Sequence, residues 1–292
     1  VICGFLALDK PAGLTSHGCV AKVRRAYGLK RVGHGGTLDP AVTGVLPIAL
    51  GPATRLLPYL PGDKGYTATV QLGVRTSTDD LQGTVLSRHD CPVGLHASAL
   101  EAALESFRGV IQQRPPSVSA VHVQGQRAYA LARQGNPPVL PPRPVTVHEL
   151  ALVRWDPELG QLELEVLCSA GTYIRSLARD LGDILGCGAA LACLRRTRAL
   201  GFSLSQCVHL EALLEAPPEP LDPLAVLTHL PRHPLDLADL AGWRCGRPQR
   251  SEEDWPPGAA VLMVDPDGHL AGLATAELGG VLHPRLVLDA RG

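Results

Sequence analysis

Asp39 stands in RVGHGGTLDPAVTGVLPIALG, residues 31–51, at the end of a long stretch without acids. From Pro11 to Leu38 there is no Asp or Glu, whereas Lys22, Arg24, Arg25, Lys30 and Arg31 gather there with His17 and His34. An Asp followed by Pro has an ordinary reading as a turn or cap residue. The other reading is a carboxylate kept dry at the edge of a basic surface. Gly33, Gly35 and Gly36 support the second, because glycine lets a ligand approach the backbone closely. Aromatic residues are only 4% of the chain, so each tyrosine is a candidate to stack on an unpaired base. Tyr66 opens an expected strand and Tyr173 an expected helix, places where a ring either faces a cleft or edges the core with a wet hydroxyl. Arg175, two residues past Tyr173, either pairs with a buried carboxylate or is solvated. His34, between glycines, is a loop histidine or a wedge into RNA.

The charge distribution fits a polyanionic partner for most of the chain. Residues 1–207 carry 21 Lys+Arg against 15 Asp+Glu, a net of +6, while the remainder carries −7. Arg outnumbers Lys 23 to 4, a bias that genome composition also produces. The eight cysteines, at 3, 19, 91, 168, 187, 193, 207 and 245, form no C-x-x-C pair. No zinc site is therefore expected, and the thiols read as reduced and structural. No apolar run approaches the ~20 residues of a membrane helix. VICGFLAL reads as a strand rather than a signal peptide, and the cytoplasm is the expected compartment.

These residues must be positioned by a mixture of strands and helices. GFLALDKPAGLTS reads as a strand running into a turn, with Thr15 or Ser16 capping a helix over about 16–27 that Gly28 ends. YTATVQLGV, 66–74, alternates as a half-buried strand, and QLELEVLC, 161–168, does so most clearly. Ser98 with Glu101 predicts a capping box before Leu100, Leu104 and Phe107. Ile174, Leu177, Leu181 and Ile184 keep helical spacing, with Arg175 and Arg179 four apart and off that stripe. LRRTRALGFSL, 194–204, reads as a further strand. Residues 113–144 are Pro-rich around RAYALARQG and predict an insertion lying over a surface. The composition of 216–234 predicts a linker, followed by a small β module.

Taken in order, GFLALDKPAGLTS, VGHGGTLDPAVTGVLPIALG, YTATVQLGVRTSTDDLQG and CSAGTYIRSLARDLG resemble the TruB family of tRNA pseudouridine synthases. The resemblance spans residues 4–215 strongly and the C-terminal module weakly. It implies an α+β fold with a mixed, largely antiparallel sheet flanked by helices, a catalytic domain over 1–230, and a PUA-like RNA-binding module over 231–292. It implies isomerisation of the T-arm uridine of tRNA (position 55) to pseudouridine, without metal or organic cofactor, by a monomer needing no protein partner. By the same resemblance Asp39 is the nucleophile, Arg175 keeps it ionised, and Tyr66 stacks on the base and helps remove the ring proton. His34, Tyr173, Leu194, Asp80 and Lys10 fall in the substrate-binding set. Family members read P-P-x-Y-S-A-x-K in the insertion, whereas this chain has Val118 and His122 at the aromatic and lysine positions. The nearest rival is the catalytic subunit of an RNA-guided pseudouridylation complex, which shares the aspartate block. A tRNA-folding chaperone or plain RNA-binding protein is the rival from another class.

Overall fold

A computed structural model describes residues 2–119, 121–123 and 125–288. Its centre is a ten-stranded mixed sheet assembled from distant parts of the chain. Strand β1 (Gly4–Lys10) leads to helix α1 (Ser16–Ala26), whose first turn is capped by the Thr15 hydroxyl accepting from Gly18 N. The short β2 (Val32–His34) and the long β3 (Thr43–Leu50) follow, with the Asp39 loop between them. Strand β4 (Lys64–Leu72) stops at Gly73, and the pattern resumes as a separate hairpin, β5 (Val74–Thr76) and β6 (Val85–Arg88).

Helix α2 (Ala97–Glu105) begins at a His96 cap that makes no side-chain bond, so the expected Ser98–Glu101 capping box is not formed. Glu101 turns instead to the Arg108 guanidinium, which also takes Glu105. After β7 (Gly109–Gln113) the insertion forms a small hairpin, β8 (His122–Val123) and β9 (Gln126–Arg127), and one helix, α3 (Ala128–Arg133). Strands β10 (Arg143–Asp156) and β11 (Gln161–Cys168) pair antiparallel, the latter over the range its alternation predicts.

Helix α4 (Ile174–Ile184) lies against β12 (Ala189–Ala199). It buries Ile174, Leu177 and Leu181 into one cluster with Leu162, Leu164 and Val70, while Ile184 stays exposed. Burying each such side chain is worth about 1.5–3 kcal/mol. The strand expected over 194–204 starts earlier and breaks at Leu200–Gly201, after which β13 (Phe202–Ser203) folds back on β12. Strand β14 (Cys207–His209) pairs parallel with β1, and helix α5 (Leu210–Glu215) follows.

The sheet order is β14-β1-β3-β12-β4-β11-β10-β7, with β2 on β3 and β13 on β12. Among the described strands of this sheet only β1–β14 and β3–β12 pair parallel, so the sheet is mixed and largely antiparallel as expected. Its register aligns Lys10, Gly44, Arg196, Tyr66 and Val166 in one row across five adjacent strands. Gly44 is required in that row. Its φ is +103°, and a Cβ there would lie 2.1 Å from the Arg196 carbonyl oxygen.

The expected linker over 216–234 is packed instead. Leu221 and Phe5 exchange backbone hydrogen bonds of 2.9 and 2.7 Å. Helix α6 (Pro223–Val226) and Leu227 put two leucines into a cluster with Phe5, Leu262, Leu273 and Leu286. Prolines mask the spacing of Leu221, Leu224 and Leu227, which act as anchors. The C-terminal strands β15 (Arg232–Pro234), β16 (Gln249–Arg250), β17 (Ala260–Val264), β18 (Leu270–Glu277) and β19 (Val281–Val287) form a second sheet. Helix α7 (Leu237–Arg244) covers it, with Trp243 fully buried. The second sheet thus shares a core with the first. None of the described helices is long and apolar enough to cross a membrane.

Candidate active site

Asp39 sits on the loop between β2 and β3, and that loop is fastened from beneath. Ser16 Oγ, at the start of α1, accepts from Leu38 N at 2.9 Å and donates to Leu38 O at 3.2 Å. The Lys10 ammonium donates to the carbonyls of Pro11, Pro40 and Val42 at 2.9, 3.1 and 2.7 Å. Gly13 N donates to Pro40 O, and Val42 N closes a turn on Asp39 O. Lys10 is fully buried, and burial lowers its pKa, with Asp39 among the groups pulling it back up. All three of its protons are committed to backbone. The structure therefore uses Lys10 to hold the loop rather than to face a ligand.

The carboxylate meets Arg175, which enters from the first turn of α4. Arg175 Nη2 lies 3.1 Å from Asp39 Oδ2, and Nη1 lies 3.5 Å from Asp80 Oδ2. The same guanidinium donates to Thr78 O at 3.1 Å and to Val118 O at 3.0 Å. Only 9% of its side chain is exposed, although its sequence position lies off the apolar stripe of α4. The insertion is what covers it. Ser176 Oγ and Arg179 Nη2 each donate to Arg114 O at 2.9 Å, fastening the start of the insertion to the same helix. Val118, where an aromatic side chain is expected, thus takes part through its carbonyl.

Asp39 itself is not dry: its side chain is 51% exposed. The loop stands clear of the sheet, so one face of the carboxylate meets Arg175 and the other opens to solvent. Drying must come from whatever fills the site. Asp80 is held in its turn by Thr78 Oγ1 at 2.7 Å and Gln82 N at 3.0 Å, and it shares Arg175 with Asp39.

Tyr66 lies in the sheet row beside Arg196 and is 8% exposed. Burial pushes its phenol up to about 12, against the pull of the Arg196 guanidinium that reaches its hydroxyl. Arg196 is fully buried and donates to Val45 O at 2.7 Å and Gly36 O at 3.0 Å, tying both sides of the Asp39 loop to β12. Leu194, two positions before Arg196 on the same strand, packs half-buried on the cluster that contains Tyr66.

The TruB family pseudouridylate synthase N-terminal model matches residues 24–174, and the tRNA pseudouridylate synthase B C-terminal model matches residues 175–221. The tRNA pseudouridine synthase B of Parasynechococcus marenigrum (strain WH8102) is 61% identical over 289 residues, covering 99% of this chain and 98% of that one. That of Synechococcus sp. (strain WH7803) is 54% identical over 297 residues, with the same coverage. The chain belongs to the TruB family.

Solved structures agree with this TruB assignment in fold. A chain in an H/ACA RNP bound to a substrate RNA containing 2′-deoxyuridine is 25% identical at a TM-score of 0.73, covering 97% of this chain and 84% of that one. A chain of the archaeal box H/ACA sRNP Nop10-Cbf5 complex is 26% identical at 0.72, covering 99% and 86%.

Two further members of the expected site, Tyr173 and His34, stand at the start of α4 and at the end of β2. Tyr173 caps α4, and Gln113 clamps its backbone, accepting from Tyr173 N at 2.8 Å and donating to Tyr173 O at 3.1 Å. Its ring packs against Val121, Ala128 and Leu140 of the insertion. His34 stands edge-on to His17, ring centroids 5.3 Å apart, and burial lowers its pKa, helped by His17 and Arg196. A groove of about 670 Å³ lined by His17, Arg24, Arg31, His34 and Arg55 lies beside His34 rather than over Asp39. Ser16 and Arg196 were not singled out by the sequence. Serine carries no strong signal at a helix start beyond capping, and Arg196 is one of three arginines on a strand until register places it.

Proposed function

We propose that this chain isomerises the T-arm uridine of tRNA, position 55, to pseudouridine as a stand-alone monomer, with no metal, organic cofactor or obligatory protein partner. The observation that carries the reading is the 3.1 Å contact of a half-open Asp39 carboxylate with a buried Arg175, with Asp39 near enough to act on the Tyr66 phenol. Arg175 holds Asp39 charged and aimed, and the open carboxylate face is available to attack either the uracil ring or the ribose anomeric carbon. The glycosidic N–C bond breaks, the uracil turns while held, and a C–C bond forms. The ring proton is then lost, and product and substrate have the same mass.

A uridine inside a folded loop must first be extruded, at a cost of a few kcal/mol. Tyr66 and Leu194 supply the ring and the apolar wall for the extruded base. His34 fills the space it leaves, and Tyr173 and Asp80 border the pocket. A phenol with a pKa near 12 is a weak base at neutral pH, so Tyr66 acts chiefly by its ring and its bond to Arg196, and aids proton removal only once substrate changes its surroundings. The C-terminal sheet adds a PUA-like RNA-binding surface.

The insertion supports the stand-alone reading over the RNA-guided one: its Val118 carbonyl accepts from Arg175, and in this reading the same segment grips the RNA directly. The test is purified protein with an isolated T-arm stem-loop, a chelator and no guide RNA, assayed for pseudouridine by base-specific chemical labelling. Conversion is expected. Activity that needs a guide RNA, a partner protein or added metal would overturn the reading, and binding without conversion would favour a folding chaperone.

A further inference from the structure

Two cations converge on one point beside the site, and one of them, Lys64, has no part in the reaction chemistry above. The first is Arg196, fully buried between β3 and β4. The second is Lys64, the first residue of β4, half-buried at the sheet end. Among the described residues neither makes an ion pair with a carboxylate. The acid next in sequence, Asp63, faces His148 at 3.2 Å. Burial lowers the pKa of the Lys64 ammonium, and the Arg196 charge lowers it further. A buried charge without a counter-ion is costly, and a second like charge beside it adds to that cost.

Gly36 marks where they meet. A Cβ placed on it would lie 3.4 Å from Arg196 Nη1 and 3.5 Å from Lys64 Nζ. Any side chain at position 36 would occupy this space, and at φ +90° only glycine sits without strain. The Nε and Nη2 groups of Arg196 donate to Val45 O and Gly36 O, and Nη1 is the atom that faces the cradle.

We propose that Lys64 and Arg196 form an anion subsite over Gly36 that takes a backbone phosphate of the RNA next to the extruded uridine. The proposal rests on the pseudouridine-synthase reading above. Uracil and ribose are neutral, so the phosphodiester is the group in the substrate with a full charge to set against two cations. Position agrees: Tyr66, Leu194 and Asp39 claim the base, whereas Lys64 opens β4 two residues before Tyr66 and reaches the space over Gly36 together with Arg196. A phosphate fixed there sets the register of the flipped nucleotide without reading its sequence.

The test is binding of the T-arm stem-loop to Lys64→Met across a salt series, beside wild type and Lys64→Arg. Losing one phosphate contact should weaken binding about tenfold and make the slope of log affinity against log salt shallower by about 0.7–0.9. Lys64→Arg should restore the slope. In a second arm, the phosphates on either side of the target uridine are replaced singly by uncharged methylphosphonate. One of the two should cost wild type about tenfold and cost Lys64→Met, which keeps only Arg196 there, clearly less. An unchanged slope in Lys64→Met, or methylphosphonate losses equal in both proteins, would overturn the subsite. Wild type that neither binds nor converts the unmodified hairpin would instead overturn the function on which it rests.

Discussion

Replacing Arg175 with alanine tests the electrostatic core of the site, and the structure sets the size of the effect. The guanidinium makes four contacts at 3.0–3.5 Å: two to carboxylates, Asp39 and Asp80, and two to carbonyls, Thr78 and Val118. A hydrogen bond to a charged group contributes about 1.5–3 kcal/mol, but the half-exposed Asp39 keeps water on one face, which puts its share in the free protein near the lower end. The contribution grows when RNA excludes that water. A loss of about 3–4 kcal/mol from the transition state corresponds to a rate about 100- to 1000-fold lower.

Arg175→Lys should recover only part of this, since one ammonium cannot span the fork that joins Asp39, Asp80 and two carbonyls. The assay is single-turnover release of tritium from the uracil carbon that receives the new bond, at saturating RNA, with affinity measured separately. The rate should fall far more than the affinity. Arg175→Ala that weakens binding while leaving the single-turnover rate intact would refute the pairing with Asp39.

The difference in phenolate absorbance between wild type and Tyr66→Phe should show a transition near pH 12. The folded pKa of Tyr66 is raised above the unfolded value, so the associated stability, about 3 kcal/mol, is present below pH 10 and is lost as pH rises from about 10 to 12. A difference transition at about 10 would show that the ring is solvated. Leu227→Ala should cost about 2–5 kcal/mol in chemical denaturation, as a fully buried leucine does, and a loss under about 0.5 kcal/mol would restore the linker reading of 216–234. Ending the chain after Pro234 removes Leu262, Leu273 and Leu286 from the shared cluster, so the fragment should aggregate, and a soluble, active fragment would contradict the shared core.

The sequence made the strand Gln161–Cys168 and the helix Ile174–Ile184 legible because each has one buried face and therefore a clean period. Asp39 and Arg175 were legible as a pair only through the order of the motif blocks, since 136 positions separate them and β3, β4, β11 and β12 must all assemble before they meet. What stayed hidden depends on register. The row Lys10–Gly44–Arg196–Tyr66 draws on four strands, and no local pattern shows that Gly44 is small to admit the Arg196 backbone. The resemblance put Lys10 in the substrate-binding set, and its three carbonyl partners stayed hidden because they come from the turn after it and from the Asp39 loop. The capping box failed because Glu101 had a stronger partner in Arg108, seven residues on. The apparent linker misled because proline content outweighs three leucines in a composition reading. The dryness expected of Asp39 is not there: the loop holds the carboxylate half-open.

The central claim is that Asp39 is the nucleophile and not a binding group. Asp39→Asn keeps the side chain's shape and removes the charge that Arg175 faces at 3.1 Å. The decisive measurement is pseudouridine formation on the T-arm stem-loop by this variant under single-turnover conditions, with hairpin affinity measured in parallel. The account predicts no product, with affinity within about tenfold of wild type, about 1.4 kcal/mol. Turnover above about one per cent of wild type, a barrier less than about 2.8 kcal/mol higher, would contradict it.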